Sequence, residues 1–448
     1  MEYSKMKETI RQAAAEAGIT EYEIYYAEGE SAEVETLLKE VDKFATAKAS
    51  GICFRCIVDG KMGYASTERM EKEEACRIVA AAKENASLLE VEEEVFLSDG
   101  KEEYPVLEKT ERPSVSAKDL IETAVSIQED LFAKGELVSE GSQSSTGTVS
   151  GKIGIYNSKG VDLYESYRFD IAVSVAILQK EQQMYYGFDY ALGSLKDMDT
   201  KALSENAYRQ SMDTIGAKPV KTGRYHVILK NRQMQALLSH FSTVFSADEA
   251  QKGMSLLKGK EGSRIASDAV TIIDNPMFEG GMIWRSFDDE GVAARKKMVV
   301  ENGVLNTLLY DLRTAAKAGK ASTGNGIKAD YDAPVEVMPT QMYLQPGEDT
   351  LEELLDFAGT GLVITQLNGM HAGADTTSGD FSLNASGYYF ENGQRRFPVN
   401  QITVAGNFYE VLKSIKKAAD DMEMGIPHGS TTIGAPSVLV ADMSVAGE

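Results

Sequence analysis

Histidine and cysteine, the side chains that most often hold zinc, are scarce in this chain, at four and three among 448 residues. The three cysteines, Cys53, Cys56 and Cys76, lie in one short region and cannot all pair, which argues against a disulfide framework and for a reducing compartment. Positive charge is also in deficit. Against 69 Asp and Glu stand only 46 Lys and Arg, a net charge of −23. That surplus opposes the phosphate contacts behind most nonspecific nucleic-acid binding, and it disfavours anionic membrane surfaces as well. Long apolar runs are missing too. The strongest, Ile171 to Leu178, falls far short of the roughly 20 residues of a spanning helix and reads as a buried strand. The opening residues Met1-Glu-Tyr-Ser-Lys mix charges of both signs without the apolar core of a signal peptide, so a cytoplasmic protein is expected.

What is present is ample for folding. The apolar share is 43%, and the length suits about two or three domains. A helix is predicted from Tyr3 to Ala17, ended at Gly18. Strands follow at Glu23 to Ala27, Ala32 to Val41 and Gly51 to Val58, the last turning at Asp59-Gly60 into Met62 to Ser66. Apolar residues at Ala75, Ile78, Val79 and Ala82 give Glu71 to Ala86 a helical face. Glu90 to Pro113 reads as an irregular connection. Ser116 and Asp119 have the spacing of a helix cap ahead of Leu120, Ala124, Ile127 and Leu131. Short strands are expected from Leu137 to Tyr190, with turns at Asn157 to Gly160 and a break at Gly187, then a helix from Asp199 to Ile215.

Gly216-Ala-Lys-Pro219 stops that helix. It marks the expected boundary between an N-terminal α+β domain, 1–218, with a sub-boundary near 90–115, and a β-rich domain, 219–448. The second half is mostly strand-like and mainly antiparallel. Glu301-Asn-Gly303 and Glu391-Asn-Gly393 read as two similar hairpin turns. Glycine is dense from Gly359 to Gly393, which fits either tight connections or backbone brought close to a ligand.

Few residues form a recognisable chemical motif. Cys53-Phe-Arg-Cys56 has metal-pair spacing, but positions three apart on a strand face opposite ways, so a structural role is expected. His226, His240, His371 and His428 are not within helical reach of one another. Asp288-Asp289-Glu290-Gly291 reads as a solvated turn, and Ser322-Thr-Gly-Asn-Gly326 lacks the lysine and helix of a phosphate-binding loop.

Seven segments in order carry a resemblance. They are Gly51 to Thr67, Tyr156-Asn-Ser-Lys-Gly160, Asp288-Asp-Glu-Gly291, Val300-Glu-Asn-Gly-Val-Leu305, Ser322 to Gly326, Ser378-Gly-Asp-Phe-Ser382 and Phe397 to Asn407. Together they resemble the TldD/PmbA family, the family also labelled modulators of DNA gyrase, over nearly the whole chain. The resemblance implies two paralogous classes that assemble together. In the catalytic class, a helix after the first strand of the C-terminal domain carries His-Glu-x-x-x-His, which binds zinc and supplies the carboxylate for the hydrolytic water.

In this chain the matching strand is Tyr225 to Lys230 and the matching helix Asn231 to Phe245. Ser239 stands at the first zinc histidine, His240 at the glutamate and Val244 at the second histidine. The loop near Met422 to Thr432, where that class has a cysteine ligand, contains none. Valine cannot coordinate a metal and a serine hydroxyl is a poor zinc ligand. Met234, Leu237, Leu238, Phe241 and Phe245 meanwhile give the helix an ordinary packing stripe, with His240 off it.

The resemblance therefore implies a TldE/PmbA-like subunit with no catalytic residue, metal or cofactor of its own. Zinc is expected on a TldD-like partner, with an unfolded peptide as substrate and a homodimer when the partner is missing. Peptide maturation or antitoxin degradation would be its setting. Gly324, Asn325, Gly379 and Asp380 are the residues expected in a substrate groove. Two alternatives are an independent metallopeptidase using His371, His428 and Asp380, and a regulator that contacts gyrase.

Overall fold

The computed structural model describes residues 2–90, 95–107 and 112–448. Its architecture is α+β, with the β-rich part C-terminal, as expected. The N-terminal sheet has six antiparallel strands. In spatial order they are Lys61–Thr67, Glu40–Val58, Glu21–Leu37, Gln143–Asn157, Asp162–Lys180 and Gln183–Gly193. Helices Tyr3–Glu16 and Lys72–Leu88 bury Met6, Ile10, Ile78 and Val79 against Ile24, Ile52 and Phe54. Helices Ala117–Phe132 and Thr200–Met212 cover the other end of the same face, around Val34 and Ala172. The Ser116–Asp119 capping box forms as read, and the predicted stripe from Leu120 to Leu131 is buried.

Several local readings change. The expected strand Ala32 to Val41 crosses a hairpin turn, because Leu38 and Lys39 take φ of 53° and 66° although neither is a residue that favours that region. The result is one long, charge-laddered hairpin in which Thr36 pairs with Val41. Gly187 does not break its strand. It sits under helix Thr200–Met212, where a Cβ would lie 2.0 Å from the Ala207 carbonyl oxygen. Ile171 to Leu178 is a strand with one face buried, since Ala172, Ser174, Ala176 and Leu178 point inward and the residues between them are half-buried. Cys53 and Cys56 do face opposite ways, one packed with Ile153 and Phe287, the other with the helices.

In the C-terminal part, strands Gly223–Leu229, Thr360–Asn368, Asp380–Glu391, Gln394–Asn407 and Val438–Ala446 close into a barrel. Closure comes from pairing of Thr403 with Ala446 and Ala405 with Ser444. One neighbouring pair, Gly223–Leu229 with Thr360–Asn368, is parallel. A second sheet of six strands, around Ile272–Asp274 and Gln341–Leu344, packs beside it. Both Asn-Gly turns form, with Asn302, Gly303, Asn392 and Gly393 all at positive φ.

The helix-free face of the N-terminal sheet meets the C-terminal part. Phe287 inserts among Tyr25, Cys53, Ile153 and Ile155. In the connection Glu90 to Pro113, residues 91–94 and 108–111 lie outside the described set; the rest is irregular, as read, yet docked. Ser98 Oγ and Tyr104 Oη both donate to the Gly291 carbonyl, at 3.0 and 2.8 Å. No helix among the described residues is long and apolar enough to cross a membrane.

Candidate functional site

The barrel strand Gly223–Leu229 leads into helix Asn231–His240, shorter than the expected Asn231 to Phe245 because Ser242–Phe245 tightens into a 3-10 turn. The apolar stripe holds this segment in place. Met234, Leu237, Leu238, Phe241 and Phe245 are all fully buried in the barrel core, and Phe241 stacks on Phe408 at 4.7 Å between ring centroids.

Around that stripe the three positions expected to be degenerate diverge. Ser239 is exposed and His240 is half-buried, with its ring edge-on to Phe241 at 5.1 Å. His240 Nε2 is buried and has no hydrogen-bond partner. Val244 is 1% exposed inside the core. A metal at this helix needs ligands that converge on one point, and this set offers a solvent-facing hydroxyl, a single imidazole and a core methyl pair. Zinc does not fit these residues.

The loop near Met422 to Thr432, expected at the other edge of the family site, touches the helix. A Cβ on Gly425 would lie 2.5 Å from Gln235 Nε2, so glycine lets the loop backbone close against Gln235. The scattered ligands His371, His428 and Asp380 do not gather. Among the described residues no three His, Cys, Asp or Glu side chains are placed to hold a metal.

At the opposite end of the helix, its first residues border a cavity of about 410 Å³ between the N-terminal sheet and the barrel, lined by Phe188, Asp189, Asn231, Arg232, Gly387 and Glu423 among others. Arg232 organises one wall. Its Nη2 lies 2.5 Å from Asp189 and 2.6 Å from Glu423, and the guanidinium sits 4.2 Å over the Tyr190 ring. Burial works against the Arg232 charge, but Glu423 and Asp189 outweigh it and hold the group above its ordinary range. Burial, then the Glu423 charge, pushes the Tyr190 phenol up as well. No short motif announced Arg232 and Glu423, which are brought together from 191 positions apart.

The four expected groove residues fall into two separate places. Gly324 takes φ of 71° in a buried turn packed on the Ala293 carbonyl. Asn325 is fully buried and saturated: its amide donates to Asp274 and to the Met338 carbonyl, both at 2.9 Å, and its carbonyl accepts from Lys297 at 2.8 Å. Gly379, with φ of 84°, lies under the Tyr409 ring, and Asp380 beside it is exposed and accepts from Asn407 at 2.8 Å. The two pairs share no hydrogen-bond partner.

The acidic segment is the clearest departure from the sequence reading. Asp288, Asp289 and Glu290 are 1%, 0% and 4% exposed, the reverse of a solvated turn. Partners both near and distant in sequence make burial tolerable. Asp288 accepts from the backbone N–H groups of Glu290, Val292 and Gly326, and Asp289 from Arg285 at 2.7 Å and the Lys328 N–H at 2.8 Å.

The fold is thus a two-part α+β architecture whose helix after the first barrel strand carries no metal-ligand set among the described residues. Comparison with known proteins places it further. Residues 222–447 match the model described as the PmbA/TldA metallopeptidase C-terminal domain, and residues 22–86 match domain 1 of the same metallopeptidases. The chain belongs to the PmbA/TldD family. It is 29% identical to a metalloprotease PmbA homolog of Haemophilus influenzae, over 65% of this chain and 61% of that protein. Among solved structures it is similar to a candidate modulator of a DNA gyrase from Thermotoga maritima, at 30% identity and a TM-score of 0.90, covering 99% of this chain and 100% of the other. TldE from Thermococcus kodakarensis shares the fold, at 23% identity and a TM-score of 0.89, with coverage of 99% and 100%.

Proposed function

We propose that this chain is a non-catalytic, TldE/PmbA-like subunit of a two-chain peptidase. It supplies part of the wall of a groove that admits unfolded peptides, while zinc and the catalytic carboxylate belong to a TldD-like partner. One observation carries the reading: Ser239, His240 and Val244, at the family's metal positions, diverge into solvent, a half-buried site and the core. Such a donor set cannot bind zinc.

An extended peptide would add to a sheet edge through main-chain hydrogen bonds, which favours unfolded segments over folded ones and is indifferent to most side chains. Asp380, exposed at the start of the barrel strand Asp380–Glu391, is the groove candidate open to solvent. Asn325, saturated inside the protein, acts on the groove only by holding the turn at Gly324.

The test is peptide cleavage by three preparations: this chain alone, a TldD-like partner alone, and the two mixed in equal amounts after co-purification. Cleavage that requires the partner, with both chains eluting together, supports the proposal. Robust cleavage of an unfolded peptide by this chain alone sinks it.

A further inference from the structure

The cavity at the first turn of helix Asn231–His240 is left with more hydrogen-bond donors than acceptors. Four cations and three carboxylates line it. The carboxylates are engaged within the protein. Asp189 accepts from Arg232 at 2.5 Å, and from the Tyr190 N–H and the Asn206 amide, both at 3.0 Å. Both oxygens of Glu423 accept from Arg232, at 2.6 to 3.1 Å, and Asp213 pairs with Arg395 at 2.9 Å. The donors are not used up. Among the described residues Lys230 Nζ has one acceptor, Asp421 at 3.2 Å, and Arg209 has one, Glu205 at 2.7 Å. The amide nitrogens of Gln210, Gln233 and Gln366, on the same walls, donate to none of the described residues.

A length of unpaired sheet edge opens on the same cavity. Strand Thr360–Asn368 pairs with strand Gly223–Leu229 only from Leu362 to Ile364, because the latter ends at Leu229 and the chain turns away into the helix. The last bond on that side runs from the Lys230 N–H to the Ile364 carbonyl at 3.1 Å. Past Ile364 the strand keeps its partner Asp380–Glu391 on one side, while on the other no described residue bonds its main chain. Thr365 and Gln366, on this open stretch, line the cavity. Its volume of about 410 Å³ falls within the range of small-ligand sites, roughly 300–1,000 Å³.

We propose that this cavity holds the C-terminal end of an extended peptide, with its carboxylate on Lys230 and Arg209 and its main chain along the open edge at Thr365 and Gln366. A peptide C-terminus brings what the walls lack. It carries two carboxylate oxygens and a carbonyl at each residue, acceptors for the spare ammonium, guanidinium and amide donors. An ammonium terminus does not fit, since Asp189 and Glu423 are already held by Arg232. Pairing at the edge selects an extended chain and leaves most of its side chains unread. Ser239 and His240 lie at the other end of the helix, about 15 Å away, so this site is separate from the positions matched to the family's metal motif. The choice of a peptide over other carboxylates rests on the proposed subunit role; the donor surplus does not.

The experiment is calorimetric titration of the full chain, without any partner, with N-acetyl-trialanine, its C-terminal amide and acetate. The acid should bind, and the amide should bind about tenfold or more weakly. Lys230→Met should weaken binding of the acid about tenfold and Arg209→Met about threefold, with binding of the amide unchanged in both. The Arg209 side chain is 71% exposed, so its replacement tests the site even if Lys230→Met fails to fold. Equal binding of acid and amide overturns the proposal, as does acid binding that neither variant weakens, or no binding at millimolar peptide. Acetate binding as tightly as the acid also overturns it, leaving a bare anion site and the subunit role intact. Failure of the chain to assemble with a TldD-like partner, in contrast, removes the subunit role and leaves this titration unaffected.

Discussion

Arg55 and Glu23, directly opposite one another on adjacent strands, form a buried ion pair with Nε 2.6 Å from Oε1. Burial lifts the Glu23 carboxyl above its ordinary range, and Arg55 is the principal group holding it down. Arg55→Met should therefore strand an acid inside the junction and cost about 3–5 kcal/mol of stability in chemical denaturation. Glu23→Gln combined with Arg55→Met should recover much of that loss. A single-variant cost under about 1 kcal/mol would mean that the pair is hydrated.

Restoring the family motif by sequence should fail. The variant Ser239→His/His240→Glu/Val244→His returns all three residue types, but position 244 lies 1% exposed in the barrel core and position 239 faces solvent. An imidazole at 244 overpacks that core by about 1–3 kcal/mol and meets no second ligand. The expected result is a lowered melting temperature and zinc far below one per chain by metal analysis. Stoichiometric zinc would show that the helix can re-register.

Two of the groove candidates should separate cleanly. Asn325→Ala removes the buried amide that bonds Asp274, Lys297 and the Met338 carbonyl and should cost about 1–3 kcal/mol. Asp380→Ala, at an exposed site, should change stability by less than about 0.5 kcal/mol. In the assembled enzyme it should instead raise KM for an extended peptide. Unchanged KM with Asp380→Ala would remove that residue from the groove.

Gly187 tests how closely helix Thr200–Met212 is seated on its sheet. With the Ala207 carbonyl 2.0 Å from a Cβ there, Gly187→Ala must push the helix away, at a cost of about 1–3 kcal/mol in thermal or chemical unfolding. A neutral substitution would mean that the helix floats.

Much of this fold was legible where the signal was local. The Asp59-Gly60, Asn302-Gly303 and Asn392-Gly393 turns are written in residues that favour positive φ, and all three form. The Phe241 stripe and the Ser116 cap were equally plain. Leu38-Lys39 was not, because nothing about leucine or lysine announces a left-handed turn. The strand through Gly187 was misread because glycine there serves close packing rather than chain reversal.

The acidic loop was hidden for a different reason. Three consecutive acids look solvated unless one knows that Arg285, the Lys328 and Gly326 backbone and the sheet residue Arg55 will surround them. The proposal that Ser239, His240 and Val244 are replaced metal positions rests on the family motif, since these residues carry no signal of their own. Arg232 with Glu423 needed the fold, which joins helix Asn231–His240 to a strand of the second C-terminal sheet.

The central claim is that the chemistry lies on the partner and not at this helix. It is tested most directly in the two-chain assembly by comparing His240→Ala in this chain with removal of the zinc-motif glutamate in the partner, using one unfolded peptide and reading kcat. The account predicts an unchanged kcat for His240→Ala and loss of cleavage for the partner variant. Loss of kcat with His240→Ala, while the assembly stays intact, would contradict it.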